Sequence, residues 1–301
     1  MKPLAGISVV DLTRYLPGPF ASRELMRLGA RVTRLLPPGG DPMQELAPAW
    51  HEALNAGKET VEIDLKADSE RGHALCAEAD IVLESFRPGV VDRLGIAPAN
   101  LPETVVYCSF TGFGPDDLTA GHDLNYQGWA GLLHDTAPAM PPVQIADLGS
   151  ALRAVTQITA ALLERERTGR GAHLVISLTA TAHELAAHRL GGEPVPRLLT
   201  GGLACYRIYA TADRRHLTVA ALEARFFERL CELLSRPELA ERQYGPEQEA
   251  LTDELAELIA AKPLATWLQI FEGEDVSVGP VATLEEAAAQ LGGKPSAAGS
   301  A

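Results

Sequence analysis

Two histidines spaced on one helix face can hold zinc, so His183-Glu184-Leu185-Ala186-Ala187-His188 is the first segment that invites a chemical reading. It is one residue too long. Histidines four apart share a helix face, whereas five apart they diverge by about 140° around the axis, and no metal is expected here. Cys76, Cys108, Cys205 and Cys231 lie far apart with no CxxC pair, which argues against a zinc site or a disulfide framework. Gly112-Phe113-Gly114 lacks the third glycine and the helix start of a dinucleotide fingerprint and reads as a plain turn. The run Glu164-Arg165-Glu166-Arg167 reads as a solvated helix end with weak ion pairs. Among the many groups that can carry protons, His122 lies just before one helical segment and Asp147 at the start of another. Each also has an ordinary reading, the histidine filling a polar niche and the aspartate acting as an N-cap for free backbone N–H groups.

The elements around these residues form a recognisable pattern. The apolar runs Ile7–Leu12, Arg31–Leu36, Val61–Leu65, Ile81–Leu83 and Val105–Phe110 read as buried strands, and the segments near Ala21–Leu28 and Glu70–Glu78 read as helices. Such alternation predicts an α/β domain with a doubly wound, largely parallel sheet covered on both faces. A long helix over Leu148–Arg167 ends at Thr168-Gly169, where glycine suits the positive φ of a helix C-terminus, and the strand Leu174–Ser177 follows. A Gly- and Pro-containing stretch, Gly191–Gly202, marks the change to a smaller α+β domain. That domain has a hairpin, Tyr206–Ala210 with Leu217–Ala221, and helices around Arg225–Leu234, Thr252–Ala261 and Ala265–Glu272. The expected domains are therefore 1–190 and 191–290, with a flexible tail over Gly292–Ala301.

With 46% hydrophobic residues the chain can fill such cores, and no stretch approaches the roughly 18 apolar residues of a membrane span. The N-terminus lacks the layout of a secretory signal, so a cytoplasmic protein is expected. A formal net charge of -14 repels nucleic acid and leaves a small anionic ligand, met by a local group of Arg or Lys, as the expected partner.

Several ordered segments are more specific. They are Asp11-Leu12-Thr13-Arg14 with Gly18-Pro19, Leu54-Asn55-Ala56-Gly57-Lys58, Glu84-Ser85-Phe86-Arg87-Pro88-Gly89, Asp92-Arg93-Leu94-Gly95 and Gly121-His122-Asp123-Leu124-Asn125-Tyr126. Ala146-Asp147-Leu148-Gly149 and Leu162–Gly171 complete the set. In this order they resemble the family III CoA-transferases (CaiB/BaiF), a family that includes CoA-transferases and α-methylacyl-CoA racemases.

The resemblance implies a Rossmann-like domain that binds CoA, a smaller domain, and a homodimer whose two chains interlace. It implies an acyl-CoA substrate, with CoA as part of that substrate and no separate cofactor. Transferases of the family form a mixed anhydride at the aspartate matching Asp147, while racemases keep that aspartate and add the histidine of GHDxNY, here His122. The racemase branch is therefore expected, acting at the α-carbon of a 2-methylacyl-CoA with His122 and Asp147 on opposite faces and Glu223 holding the histidine. Backbone N–H groups where Asp147 opens its helix are the expected donors to the enolate oxygen. The segments that meet CoA in the family place Arg34, Ala56, Lys58, Arg87, Arg93, Gly121, Asp123 and Tyr126 at the cofactor-like part of the substrate. Two features depart from the family: only Gly149 remains of the glycine run that follows the aspartate, and the long return after the segment matching Val276–Val281 is missing. A CoA-transferase acting through Asp147 is the alternative reading, and a truncated CoA-binding paralogue without activity is the third.

Overall fold

A computed structural model describes residues 1–190 and 197–291. The expected tail and the first part of the Gly- and Pro-containing stretch lie outside the described residues. The chain divides into two compact units, Met1–Ala187 and the residues from His188 onward.

The first unit runs β1 (Ser8–Asp11), α1 (Pro17–Arg27), β2 (Arg31–Leu36), α2 (Met43–Leu46), α3 (Pro48–Asn55), β3 (Glu59–Glu62), α4 (Ser69–Ala77) and β4 (Ile81–Glu84). It continues with α5 (Val90–Arg93), β5 (Val106–Thr111), α6 (Asp123–Trp129), α7 (Ile145–Thr168), β6 (His173–Ser177) and α8 (Leu178–Leu185), and the division between the units falls within α9 (Ala187–Leu190). The strands form one sheet in the order β3-β2-β1-β4-β5-β6. Every neighbouring pair is parallel. The order reverses between β1 and β4, and in open sheets of this kind ligands collect beyond the carboxyl ends of the strands at that point.

Alternation along the strands explains the two-sided burial. In β4, Ile81 and Leu83 join a core with Val9, Leu25, Val106, Cys108 and the α7 residues Ala151, Ala154 and Ile158. Val82 faces the other way, into a core with Val10, Leu35, Cys76, Ile96 and Tyr107. The buried face of α7 is built largely from small residues at helical spacing, which lets the helix lie close to its neighbours. Gly169 ends α7 with φ 72°, as the sequence predicts.

Two of the boundaries that differ from expectation have local reasons. Strand β3 ends at Glu62, short of Leu65, because the Asp64 carboxylate accepts the Lys66 N–H at 2.9 Å and turns the chain. Helix α7 starts at Ile145 rather than Leu148, after Gln144, so Asp147 lies inside the first turn and is not the N-cap.

The second unit contains β7 (Tyr206–Ala210), β8 (His216–Ala220), α10 (Ala224–Leu233), α11 (Gln248–Ala260), α12 (Leu264–Ile270), β9 (Val278–Pro280) and α13 (Leu284–Leu291). Its strands form an antiparallel sheet in the order β7-β8-β9. Leu217 and Val219 pack with Phe227, Leu230, Leu255, Ile259 and Trp267. The Trp267 indole N–H donates to the Ile259 carbonyl at 2.7 Å, so the largest core side chain is buried without an unpaired donor.

One close approach in the first unit is unforgiving. A Cβ on Gly171 would lie 2.1 Å from the Val105 carbonyl oxygen, where backbone and not a movable side chain is in the way. Gly171→Ala is expected to cost about 1–3 kcal/mol, read as a lower urea midpoint.

Candidate active site

The site is built around the start of α6. His122 precedes the helix in extended conformation, donating its N–H to Asn125 Oδ1 at 3.0 Å while its carbonyl accepts the Asn125 N–H at 2.8 Å. The Tyr126 hydroxyl donates to the Gly121 carbonyl at 2.6 Å. Its ring fills the space that a Cβ on Gly112 or Gly121 would need. These bonds explain the spacing of Gly121, His122, Asn125 and Tyr126, since together they pin the backbone on both sides of the imidazole. The imidazole itself is exposed.

Asp123 joins this turn to the second acid/base candidate. Its Oδ1 accepts the backbone N–H of Asp147 at 3.0 Å, and its Oδ2 accepts from Gln127 Nε2 at 2.5 Å. Gln127 Nε2 also reaches the Val143 carbonyl at 3.3 Å, just before α7. Asp123 and Gln127 are buried, so the starts of α6 and α7 are locked by a desolvated carboxylate and amide. Burial pushes the Asp147 carboxyl up to about 7, and the negative charge of Asp123 adds to the effect. The Tyr126 hydroxyl is also raised, first by burial and then by Asp147.

The N–H donors differ in detail from the sequence expectation. The N–H of Asp147 is taken by Asp123, that of Ile145 by the Val143 carbonyl and that of Leu148 by the Gln144 carbonyl. Ala146 keeps a free N–H in the first turn of α7, and Asp123 keeps one beside His122, among the described residues. Gly149 packs on α8, where a Cβ would lie 2.8 Å from Leu185 Cδ1.

The expected CoA contacts fall into two groups. Arg34 and Lys58 are interior cations. Arg34 pairs with Asp41 at 2.6 Å and lies 3.1 Å from His51 Nε2. Lys58 Nζ donates to the Pro19 carbonyl and Ser22 Oγ at 2.8 Å and to Asn55 Oδ1 at 2.9 Å, with Asp11 Oδ2 at 3.8 Å. Burial lowers the Lys58 ammonium to about 8 against the pull of Asp11. Both side chains thus hold the carboxyl ends of β1 and β2 and the start of α1. Arg87, Arg93 and Ala56 are exposed, and neither arginine forms an ion pair among the described residues. Arg93 lines a surface pocket that it shares with His73 and the carboxylates Glu70 and Asp92. Gly121, Asp123 and Tyr126 belong to the turn around His122. Glu223 precedes α10 in the second unit and is exposed, its carbonyl accepting the Phe226 and Phe227 N–H groups.

Sequence reasoning missed three participants. Gln127 and the Asp11–Thr13–Ser22 group are visible only once the chain is folded, although Asp11 and Thr13 stood in a quoted segment. Tyr15 is the third: it has φ 65°, a conformation costing a bulky residue about 1–3 kcal/mol, and its ring stands perpendicular to that of His122 with centroids 5.8 Å apart. The paired histidines of the zinc-like segment are separated by the end of α8, and His183 Nδ1 lies 3.0 Å from the Ala130 carbonyl. Among the described residues no group of three or more His, Cys, Asp or Glu could hold a metal, and no helix is long and apolar enough to cross a membrane.

The chain belongs to CoA-transferase family III, whose model matches residues 4–293. It is 33% identical to a human α-methylacyl-CoA racemase over 94% of this chain and 78% of the relative. It is 30% identical to a mouse succinyl-CoA:glutarate CoA-transferase over 95% of this chain and 73% of the relative. The crystal structure of Rv3272 from Mycobacterium tuberculosis superimposes with a TM-score of 0.83 at 28% identity, covering 96% of this chain and 85% of that one. The family's enzymes act on acyl-CoA thioesters, and the relatives are divided between racemases and transferases.

The raised carboxyl has a thermodynamic consequence. The folded chain holds the Asp147 proton more tightly than the unfolded chain, whose carboxyl titrates near the ordinary 3.8. The sign follows: this group favours folding most below pH 4, loses that contribution as pH rises to about 7, and changes nothing further above. Asp147→Asn cannot ionise, so its stability relative to the parent should improve from pH 5 to pH 8 in urea titrations. An unchanged difference would mean that the carboxyl is not raised.

Proposed function

We propose that the chain is an acyl-CoA racemase or epimerase that moves the proton on the α-carbon of a 2-methylacyl-CoA, with His122 and Asp147 as the acid/base pair on opposite faces. The observation that carries this reading is the hydrogen bond from Asp147 N–H to Asp123, which ties the turn bearing His122 to the first turn bearing Asp147. One group accepts the α-proton, the C–H electron pair passes into the thioester carbonyl as an enolate, and the other group returns a proton to the opposite face. A carboxyl near 7 holds both protonation states in useful amounts at neutral pH. The free N–H groups of Ala146 and Asp123 are the donors available to the enolate oxygen.

In the same proposal Arg87 and Arg93 meet the phosphates of CoA, Ala56 and the Gly121–Tyr126 turn line its path, and Arg34 and Lys58 shape the strand ends beneath it. Glu223 is proposed as a further catalytic carboxylate, and the working form is an interlaced homodimer, which light scattering tests.

A second reading has its own support. The chain is also similar to CoA-transferases, among them a succinyl-CoA:glutarate and an acetyl-CoA:oxalate enzyme. In that reading the Asp147 carboxylate attacks the thioester carbonyl and the C–S bond breaks to release CoA as thiolate; the thiolate attacks the aspartyl carbonyl of the anhydride and releases the donor acid as carboxylate, and the aspartyl-CoA thioester passes CoA to an acceptor carboxylate by the same steps in reverse.

Incubation in D₂O with each enantiomer of a 2-methylacyl-CoA separates the two. For racemisation, His122→Ala and Asp147→Ala each abolish inversion, yet each retains deuterium uptake into one enantiomer, and the two variants prefer opposite ones. For transfer, His122→Ala retains activity, and Asp147→Ala loses it together with a hydroxylamine-trapped adduct. Equal deuterium uptake by both enantiomers in each variant would contradict the two-base assignment.

A further inference from the structure

Left-handed backbone at a residue other than glycine occurs at Tyr15, Arg197, Arg214 and Ser235 among the described residues. Arg214 turns the β7–β8 hairpin and Ser235 follows the end of α10, both places where this conformation is common. Arg197 borders the undescribed segment. Tyr15 is different, being a bulky aromatic residue in the loop between β1 and α1, in a conformation such residues avoid.

The loop around Tyr15 cannot relax. Asp11 Oδ1 accepts the Thr13 N–H at 2.9 Å as well as the Thr13 hydroxyl, and Asp11 Oδ2 accepts from Ser22 Oγ at 2.5 Å. Lys58 donates to Ser22 and to the Pro19 carbonyl, closing the network over the start of α1. Gly18 sits so close to Thr13 that a Cβ would overlap its side chain, and Leu16 and Pro17 are buried. The chain is therefore fixed on both sides of Tyr15, whose side chain makes no core: the residue is 55% exposed and its ring meets the imidazole of His122. Strain held at an exposed residue is not explained by core packing.

We infer that Tyr15 is a positioning residue for His122: the strained loop aims the tyrosine ring at the imidazole, limits its rotation, and sets the direction from which His122 meets the α-carbon. This rests on the proton transfer proposed above. It acts on one face only, because the backbone of Asp147 is held by Asp123, and among the described residues no hydrogen bond joins Asp147 to this loop.

The test compares Tyr15→Gly and Tyr15→Phe with the parent in D₂O, one enantiomer at a time. The enantiomer still exchanged by Asp147→Ala marks the His122 face. Tyr15→Gly, which relieves the strain and should keep or raise the melting temperature, is expected to slow exchange on that face by about 10- to 100-fold. Exchange on the Asp147 face should change by less than about twofold, and Tyr15→Phe should restore the His122 face. Equal losses on both faces, or no loss, would overturn the assignment. If the parent exchanges neither enantiomer, the proposed function fails separately, and the imidazole NMR signals of His122, identified by their absence in His122→Ala, decide for Tyr15. Shifted signals in Tyr15→Gly with parent-like signals in Tyr15→Phe support positioning; unchanged signals in Tyr15→Gly refute it.

Discussion

The site depends on one arrangement: a buried carboxylate, Asp123, accepts the backbone N–H of Asp147 while standing close enough to oppose the ionisation of its side chain. The same group therefore does two things. It fixes where α7 begins relative to α6, and its negative charge adds to the burial that raises the Asp147 carboxyl to about 7. Gln127 makes this arrangement tolerable by donating to the other oxygen of Asp123, since a buried carboxylate oxygen without a donor carries the full cost of lost hydration. His122 inherits its place from this geometry because it is the residue before Asp123, with Asn125 and Tyr126 holding the backbone beneath it.

Two further buried polar groups brace the strand ends. Arg34, Asp41 and His51 brace the end of β2, and Asp11, Ser22 and Lys58 brace the end of β1. These are adjacent strands in register, with Asp11 opposite Arg34. Burying cations here has a cost, visible in the lowered Lys58 ammonium, that is offset because all three of its protons are donated. The outcome is a rigid floor at the point where strand order reverses, on which the strained Tyr15 loop can persist.

Much of the fold was legible in the sequence, for reasons that are local. Strands buried on both faces read as apolar runs, so β1, β2, β4 and β5 appeared close to their true places, and Gly169 announced the end of α7. Strand β3 was misplaced because the Asp64 turn, not hydrophobicity, ends it. His122 and Asp147 were singled out through the family resemblance, but the hydrogen bond that joins their two turns was not visible there. That the Asp147 N–H is already taken, and that Arg34 and Lys58 point inward instead of outward, depends on contacts between residues far apart in the chain. Tyr15 gave no sign at all, because neither a positive φ on an aromatic residue nor a contact with a distant histidine leaves a local pattern.

The most direct measurement is the titration of the Asp147 carboxyl itself in the intact protein, by carbon NMR of aspartate labelled at the side-chain carboxyl, with Asp147→Asn identifying the signal. The account predicts a midpoint near 7 that falls when Asp123 is replaced by Asn, which keeps an acceptor for the Asp147 N–H but removes the charge. A midpoint in the ordinary carboxylate range, unmoved by Asp123→Asn, would contradict it.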